Sequence, residues 1–345
     1  MTDAAPTAEA DLAAHAAALV RNPRDLRALL GKGRALGALG REKEAVAAFD
    51  AALAVAPPFP SLPPALQAEV RHAYDTVAGW HGRRDAHLQE ALRARLPDRL
   101  DSREGRRFRQ SLDVMAGRRS IYRQQPHQYF FPEVPCIEFY ETEDFPWLAA
   151  VVEATPAIRD EFLAAHAADS GFEPYIAYPD GRPLDQWAEL NRNPRWSAFH
   201  LLKDGAPLAG NAERCPRTMA ALAGAPQPHL HGRTPTAMFS LLKPRTRIPP
   251  HTGVTNARLV VHIPLVVPEA CGFRVGGETR EWRVGEPLIF DDSVEHEAWN
   301  NSDQPRCVLI FDIWNPFIGP EERDMIAALY DTLDAFEGGG GEGWS

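Results

Sequence analysis

Two histidines and one arginine form the part of this chain whose residue types could do chemistry. His251 and His296 lie near the ends of two different predicted strands, and Arg306 follows the second histidine after ten positions. Neutral imidazoles suit Fe(II), Zn(II), Cu(II) or Ni(II), so two of them leave the identity of the metal open. The commonest non-haem iron site would place an acidic residue two positions after the first histidine, and Gly253 occupies that position. The pattern predicts a metal site with an extra open position and an arginine that can bind an anion.

Short strands must position these residues. Residues 259–267 and 308–313 are aliphatic and β-branched runs bounded by turn residues, which indicates strands. Further strands with Gly and Pro turns, from about residue 196 to 314, predict a closed or double-layered antiparallel sheet of jelly-roll type. Such a barrel brings two distant strands together at one mouth, where the two histidines can face one ion. The aromatic, loop-rich residues 173–205 that precede this stretch are expected to wall the pocket.

Three ordered segments resemble those of the aspartyl/asparaginyl β-hydroxylase family. They are HTGVTNARLVVHIPL from His251, GEPLIFDDSVEHEAWNNS from Gly285 and RCVLIFDIWNP from Arg306, and the similarity extends over about residues 126–318. The resemblance implies an Fe(II)- and 2-oxoglutarate-dependent dioxygenase that consumes O2. Members of the family also have two histidine ligands with glycine in place of the acid, as at Gly253. The two histidines of this chain would then be the iron ligands.

The resemblance further implies which residues hold 2-oxoglutarate. Arg306 would bind the distal carboxylate, helped by Ser240, and His262 would contact the end of the cosubstrate that chelates iron. A guanidinium suits the first role because its planar fork pairs with two carboxylate oxygens at once. Trp196 resembles a family tryptophan beside the pocket. Three other tryptophans are expected to serve packing rather than cofactor contacts: Trp282, Trp299 and Trp314.

The substrate is less closely specified by the sequence. Family members that act on aspartyl or asparaginyl residues have two arginines in the HTG strand, whereas this chain has Arg258 and then Val260. Arg258 is a candidate substrate contact, although it could instead pair with Asp291 or Asp292. We expect hydroxylation of an unactivated carbon of a protein or peptide side chain. Alternatives are a lipid-acyl or small-molecule hydroxylase, a chloride-dependent halogenase that uses the open metal position, and a non-catalytic scaffold.

The first 98 residues are rich in alanine and leucine and are helical in period. Residues 27–57 resemble one tetratricopeptide repeat, whose paired antiparallel helices need small residues such as Gly33 where they cross and a proline such as Pro57 where the second ends. A second, weaker helix pair is expected over about residues 64–96. Such helices predict a platform for a protein partner, and a helical packing extension is the alternative.

These observations divide the chain into four predicted parts. Residues 1–98 form the tetratricopeptide-like domain, and residues 99–125, rich in arginine, form a solvated helix and linker. Contact of this segment with a polyanion or a lipid headgroup is the alternative. Residues 126–337 form the dioxygenase domain, and residues 338–345, GGGGEGWS, form a flexible tail. The predicted fold class is α+β, with helical hairpins ahead of a double-stranded β-helix core of the jelly-roll or cupin-like type, covered by helices.

Composition excludes several classes of protein. The formal net charge of −10 over 345 residues argues against a nucleic-acid surface, which needs clustered lysine and arginine. The acidic start of the chain does not resemble a secretory signal, and no apolar run approaches the length of a membrane span, so a soluble, cytoplasmic protein is expected. The four cysteines are widely scattered, which indicates reduced structural thiols.

Overall fold

A computed structural model describes residues 4–168 and 170–337, so the predicted tail at 338–345 lies outside the described residues. The chain divides into two units, residues 1–119 and 120–345. Within the described residues, none of the helices is both long enough and apolar enough to cross a membrane.

The described part of unit 1 contains five α-helices and one short 3-10 helix, Phe59–Ser61. The α-helices are α1 (Ala4–Arg21), α2 (Leu26–Ala38), α3 (Glu42–Val55), α4 (Pro64–Arg95) and α5 (Arg103–Met115). The side chain of Asp25 caps α2 by accepting a hydrogen bond from the backbone N–H of Ala28 at 3.0 Å. A Cβ on Gly33 would lie 2.4 Å from the ring of Phe49, so a glycine is needed where α2 crosses α3. The expected helix pair over residues 64–96 is wrong, because this stretch is the single helix α4. Its two glycines, Gly79 and Gly82, stay within the helix, since a glycine in a helix interior costs only about 1 kcal/mol and no proline interrupts the stretch.

Unit 2 contains two antiparallel sheets. Its strands are β1 (Phe139–Tyr140), β2 (Glu173–Pro174), β3 (Trp196–Lys203), β4 (Ala206–Pro207), β5 (Ala237–Leu242), β6 (Thr246–His251), β7 (Arg258–Val266), β8 (Cys271–Val275), β9 (Glu278–Arg280), β10 (Leu288–Phe290), β11 (His296–Asn300) and β12 (Arg306–Trp314). Its helices are α6 (Leu148–Glu153), α7 (Thr155–Ala167), α8 (Asn211–Arg214), α9 (Pro216–Leu222) and α10 (Pro320–Glu337). The prediction of helices combined with antiparallel sheets is confirmed.

The strand order in the two sheets is that of a jelly roll. The larger sheet runs β1-β10-β7-β12-β5-β3-β2 with β4 beside β3, and the smaller runs β6-β11-β8-β9. From β5 to β12 the chain therefore crosses repeatedly between the sheets, so that residues far apart in sequence meet in the space between them. This crossing brings the end of β6 next to the start of β11.

The two central strands of the larger sheet separate the packed core from the site. In β7 and β12, residues 259, 261, 263 and 265 and residues 307, 309, 311 and 313 belong to the apolar cluster that also includes residues of α6, α7 and α9. The alternate residues of both strands point to the opposite face, because side chains alternate along a strand. That face carries Arg258, His262, Arg306 and Asp312, and all four are buried. Polar groups on an otherwise apolar strand are thereby brought together on one side of the sheet.

Candidate active site

A cavity of about 1070 Å³ is lined by residues from both sheets of unit 2. Every site residue that the sequence predicts borders this cavity: His251, His296, Arg306, Ser240, His262, Trp196 and Arg258. Their roles stay predictions, but their distribution over six strands shows how the jelly roll brings them together. The expected wall from residues 173–205 is present, since residues 175–187 contribute many of the lining side chains.

His251 and His296 are direct neighbours across two paired strands. The last residue of β6 lies opposite the first residue of β11, and the two imidazole centroids are 4.1 Å apart. The Nδ1 atom of His251 contacts the carbonyl oxygen of Pro249 at 2.8 Å, and that of His296 contacts the carbonyl of Val294 at 3.0 Å. A carbonyl only accepts hydrogen bonds, so we assign the proton of each neutral ring to Nδ1. The lone pair of each Nε2 is then available to a metal ion.

Both imidazoles are held in the neutral form that metal binding requires. Burial, followed by the proximity of His296, lowers the pKa of His251 to about 3. Burial also lowers the pKa of His296 to about 4. Neutral imidazole is the form that coordinates metals, so the pair is ready to bind an ion at neutral pH.

The missing carboxylate at position 253 has a steric cause. A Cβ built on Gly253 would lie 2.1 Å from Oδ2 of Asp292, and the backbone N–H of Gly253 donates to the carbonyl of Asp292 at 2.6 Å. No acidic side chain fits at this position while Asp292 keeps its place. Among the residues that the structure describes, no group of three or more His, Cys, Asp or Glu could hold a metal ion together.

Arg306 is a buried cation that has no carboxylate partner within the described part of the chain. Its side chain is among the largest that are almost fully buried, at 2% exposure, and its Nε has no hydrogen-bond partner. Its guanidinium carbon lies 4.5 Å from the ring centroid of Trp282, and Nη1 is 3.5 Å from the carbonyl of Ser240. Burial lowers the pKa of Arg306 to about 10, although the group stays charged at neutral pH. A buried charge of this kind is costly unless an anion pairs with it.

Ser240 and His262 are the other two groups assigned to the cosubstrate. The hydroxyl of Ser240 accepts a hydrogen bond from Nε1 of Trp196 at 3.1 Å, which leaves its own proton free to be donated. His262 is 6% exposed, and its Nδ1 lies 3.3 Å from Nε1 of Trp282. Burial, and then the charge of Arg306, lower the pKa of His262 well below its usual value. Both side chains can therefore donate hydrogen bonds without carrying charge.

Arg258 lies among carboxylates of its own chain. Its Nη2 is 3.1 Å from Oδ2 of Asp292, which is the alternative pairing that the sequence left open. Asp291 is engaged elsewhere, since it accepts hydrogen bonds from Gln124 at 2.6 Å and from the hydroxyl of Ser293 at 2.6 Å. Asp312 interacts electrostatically with Arg258 and helps to raise the pKa of the guanidinium against the opposing effect of burial. The charge of Arg258 is thus largely balanced by two buried aspartates.

Sequence reasoning missed several polar residues of the cavity, among them Asp312 and Thr236. Asp312 is 1% exposed, and its Oδ1 accepts from the backbone N–H of Thr236 at 3.0 Å. Both residues border the cavity. The alternation of β12 would have found Asp312, because positions 306, 308, 310 and 312 share one face of a strand. No comparable signal exists for Thr236, which precedes β5 in an irregular segment.

Aromatic side chains form the wall next to the imidazole pair of His251 and His296. The ring centroids of Tyr175 and Trp196 are 4.2 Å apart, and those of Trp187 and Trp196 are 6.1 Å apart and stacked. The ring of Trp187 also packs edge-on against His251 at 5.1 Å. This stack covers one side of the imidazole pair with apolar surface.

Comparison with known proteins shows similarity to hydroxylases. A family model described as "Aspartyl/Asparaginyl beta-hydroxylase" matches residues 153–316. An ornithine lipid ester-linked acyl 2-hydroxylase from Rhizobium tropici is 36% identical over 185 residues, or 52% of this chain and 62% of that protein. The human aspartyl/asparaginyl beta-hydroxylase is 37% identical over 173 residues, or 50% of this chain and 21% of that protein. The chain thus spans less than two thirds of either relative.

A further sequence relative is also named for a hydroxylase domain, whereas the similarity to solved structures is low. Human aspartate beta-hydroxylase domain-containing protein 2 is 30% identical over 213 residues, or 60% of this chain and 55% of that protein. A cupin 2 conserved barrel domain protein from Salinispora arenicola matches with a TM-score of 0.24 and 14% identity, over 45% of this chain and 98% of that chain. Structural similarity at this TM-score gives no support for the fold beyond the strand order of the two sheets. Residues 153–316 thus resemble the aspartyl/asparaginyl β-hydroxylase family, both by the family model and by these relatives.

Proposed function

We propose that this protein is an Fe(II)- and 2-oxoglutarate-dependent dioxygenase that hydroxylates an unactivated carbon of a protein or peptide side chain. The resemblance to this family supports a hydroxylase. The observation that carries the cofactor assignment is the buried guanidinium of Arg306, which shares a cavity with the adjacent imidazoles of His251 and His296. An unpaired buried cation beside a metal-binding pair favours an anionic ligand that also contacts the metal.

The residues present fit an iron ion. His251 and His296 would hold it through Nε2, since their Nδ1 atoms are engaged with backbone carbonyls. Those backbone contacts also fix the orientation of both rings before the metal arrives, which improves affinity. Two protein ligands leave the remaining positions to exogenous ligands, as expected where Gly253 cannot carry an acid. When bound, iron and 2-oxoglutarate supply the oxidative chemistry with O2, and the protein supplies binding and geometry.

The residues present also fit a dicarboxylate cosubstrate. Arg306 offers a charged fork for one carboxylate, and the hydroxyl of Ser240 offers a further donor on the adjacent strand β5. His262 offers an uncharged donor to the other end of the molecule. A carboxylate that entered this site would pair with Arg306 in surroundings of low dielectric constant, where a charged hydrogen bond is strong. Binding would therefore relieve the cost of burying this arginine.

A lipid-acyl hydroxylase is the second candidate, and the state of Arg258 favours it. A carboxylate of an aspartyl substrate would need a free cation, whereas Arg258 is paired with Asp292 at 3.1 Å and interacts with Asp312. Val260, next along the same face of β7, adds only apolar surface. The rhizobial relative is named for an acyl 2-hydroxylation. An aliphatic chain carries no charge and could therefore occupy this region without a free cation to pair with.

Two further parts of the proposal concern partners and location. The helices of unit 1 would recruit a protein substrate, in keeping with their resemblance to a tetratricopeptide repeat. We place the protein in the cytoplasm, as its sequence suggests. Pull-down with residues 1–119 as bait, and fractionation of cells that express the full chain, test these two statements.

The proposed activity is tested by measuring succinate formed from 2-oxoglutarate under air, with Fe(II) and candidate substrates. Peptides with aspartyl or asparaginyl residues represent the first candidate, and lipids with ester-linked acyl chains represent the second. Stimulation of succinate formation together with a mass increase of one oxygen in the peptide supports protein hydroxylation, and the same result in the lipid supports the alternative. Wild-type protein that forms no succinate above the level of His296→Ala with any of these substrates contradicts the proposal.

A further inference from the structure

Trp282 does not border the cavity, but it contacts two residues that do, His262 and Arg306. It follows β9 on the connection to β10 and is 4% exposed. Its Nε1 is 3.3 Å from Nδ1 of His262, and its ring lies under the guanidinium of Arg306 at 4.5 Å. The sequence predicted only a packing role for this tryptophan, and the ring does stack on Phe273 at 5.3 Å. Its two polar contacts go beyond that role.

The contact with His262 determines the position of the imidazole proton. An indole N–H only donates hydrogen bonds, so Nδ1 of His262 must accept and carries no proton. A neutral imidazole then has its proton on Nε2. His262 borders the cavity, and its pKa is lowered well below the usual value by burial and by Arg306, which keeps it neutral. Its second nitrogen is therefore an uncharged donor, opposite in tautomer to the two metal-binding histidines.

The contact with Arg306 determines where the guanidinium lies before an anion binds. The described residues provide no carboxylate for this group, and its Nε has no hydrogen-bond partner. A cation over the face of an indole is attracted by the ring quadrupole, and the attraction grows when both groups are removed from water. Trp282 thus takes the place of the missing counter-charge without occupying the edge of the guanidinium that an incoming carboxylate would use.

We propose that Trp282 is a positioning residue that prepares both halves of the 2-oxoglutarate site, by fixing the Nε2–H tautomer of His262 and by holding the guanidinium of Arg306 in place. Without the indole, His262 could adopt either tautomer and could present a lone pair to a carboxylate. Arg306 would also lose the surface on which it rests. The proposal rests on 2-oxoglutarate being the ligand, whereas the tautomer assignment does not.

Two substitutions separate the two contacts. Trp282→Phe keeps an aromatic face under Arg306 and removes the N–H donor, so we expect binding of 2-oxoglutarate to weaken about 3- to 10-fold, as for the loss of one hydrogen bond. Trp282→Leu removes both contacts and should weaken binding further, by about 30-fold or more. Trp299→Phe is the matched control, because Trp299 packs over Gly272 and is not among the residues that border the cavity. Its affinity for 2-oxoglutarate should equal that of the wild type.

The tautomer gives a readout that a purely structural role would not move. In the metal-free protein, two-dimensional ¹⁵N NMR of the histidine side chains distinguishes protonated from unprotonated ring nitrogens, and His262→Gln assigns the signals. We expect wild-type His262 to have a protonated Nε2 and an unprotonated Nδ1, and we expect Trp282→Phe to show a mixture of tautomers. Calorimetric titration with 2-oxoglutarate in the presence of Zn(II) as a redox-inert metal gives the affinities.

Three results overturn the inference: a protonated Nδ1 at His262 in the wild type, an unchanged His262 tautomer in Trp282→Phe, or equal affinities of wild type, Trp282→Phe and Trp282→Leu for 2-oxoglutarate. The first needs no variant and so does not depend on how well a variant folds. If the wild type does not bind 2-oxoglutarate at all, the proposed function fails, and the tautomer measurements still decide the assignment of His262.

Discussion

The carboxylate of Asp292 occupies the space that a side chain at Gly253 would need, with Oδ2 2.1 Å from the position of a Cβ there. The same carboxylate pairs with Arg258 at 3.1 Å. One buried aspartate therefore explains why no acidic side chain fits two positions after the first histidine, and it also neutralises Arg258, the candidate substrate contact. The packing of Asp292 against Gly253 thus leaves no room for a carboxylate ligand at this position.

Gly253→Ala should destabilise the protein and disturb the imidazole pair. A methyl group must displace Asp292 or the backbone, and overpacking of this kind costs about 1–3 kcal/mol in the free energy of unfolding. Gly37→Ala is the control, because a Cβ there meets nothing within 4 Å and lies in a helix, where alanine is favoured over glycine. Urea unfolding of both variants is the measurement. Equal stability of Gly253→Ala and wild type would disprove the steric account.

Arg306→Met should abolish 2-oxoglutarate binding and yet stabilise the cosubstrate-free protein. Burial lowers the pKa of Arg306 to about 10, which means that the folded state disfavours the charged form and that the charge costs stability at neutral pH. Replacement of a buried charge by an apolar side chain of similar length can stabilise by about 1–4 kcal/mol. Thermal melts with and without 2-oxoglutarate test both effects, because a bound ligand raises the melting temperature.

We expect the melting temperature of the wild type to rise when 2-oxoglutarate is added. We expect Arg306→Met to have a higher melting temperature than the wild type without 2-oxoglutarate and to show no rise when it is added. Arg247→Met is the control, since Arg247 is 64% exposed and does not border the cavity. An Arg306→Met protein that still responds to 2-oxoglutarate would rule out this arginine as the anion-binding group.

Asp312 should make stability depend on pH in a direction that can be stated beforehand. Burial raises the pKa of Asp312 to about 6, although Arg258 acts in the opposite direction. Its contribution to stability is therefore complete below its unfolded pKa and is lost as the pH rises through about 6. Asp312→Asn cannot lose a proton and keeps an oxygen for the N–H of Thr236. Relative to wild type, this variant should gain up to about 3 kcal/mol in the free energy of unfolding between pH 4 and pH 8.

Urea unfolding at pH 4, 6 and 8 measures this difference. Asp303→Asn, whose side chain is 84% exposed, should show no such trend. A constant difference between Asp312→Asn and wild type across this range would mean that Asp312 is not protonated by burial in the folded protein.

Removal of unit 1 should leave the proposed metal and cosubstrate site intact. Every residue that borders the cavity falls between 127 and 312, and unit 1 has an apolar core of its own. A chain of residues 120–345 should therefore bind Fe(II) and 2-oxoglutarate as the full chain does, whereas turnover of a protein substrate should fall if the helices recruit it. Equal turnover of protein substrate by both chains would rule out recruitment, and a fragment that does not fold would favour the packing role of the helices.

Much of the site follows from local sequence, while its supporting contacts do not. The sequence alone predicts the strands around 259–267 and 308–313. It also shows the order of His251, His296 and Arg306 and the glycine at 253. The roles of Asp292 and Trp282 depend on which strands lie next to each other and on how a loop folds over the sheet. The expected helix pair over residues 64–96 was wrong for a different reason, because a helical period alone does not show where one helix ends and the next begins.

The most direct test of the central claim is an anaerobic titration of the metal-free protein with Fe(II) and then with 2-oxoglutarate, followed by visible absorption. Chelation of Fe(II) by the 2-oxo acid gives a metal-to-ligand charge-transfer band, which requires both ligands in one site. We expect the band in the wild type and in Trp299→Phe, and we expect none in His296→Ala. Binding of Fe(II) by the wild type without a charge-transfer band on addition of 2-oxoglutarate would contradict the account.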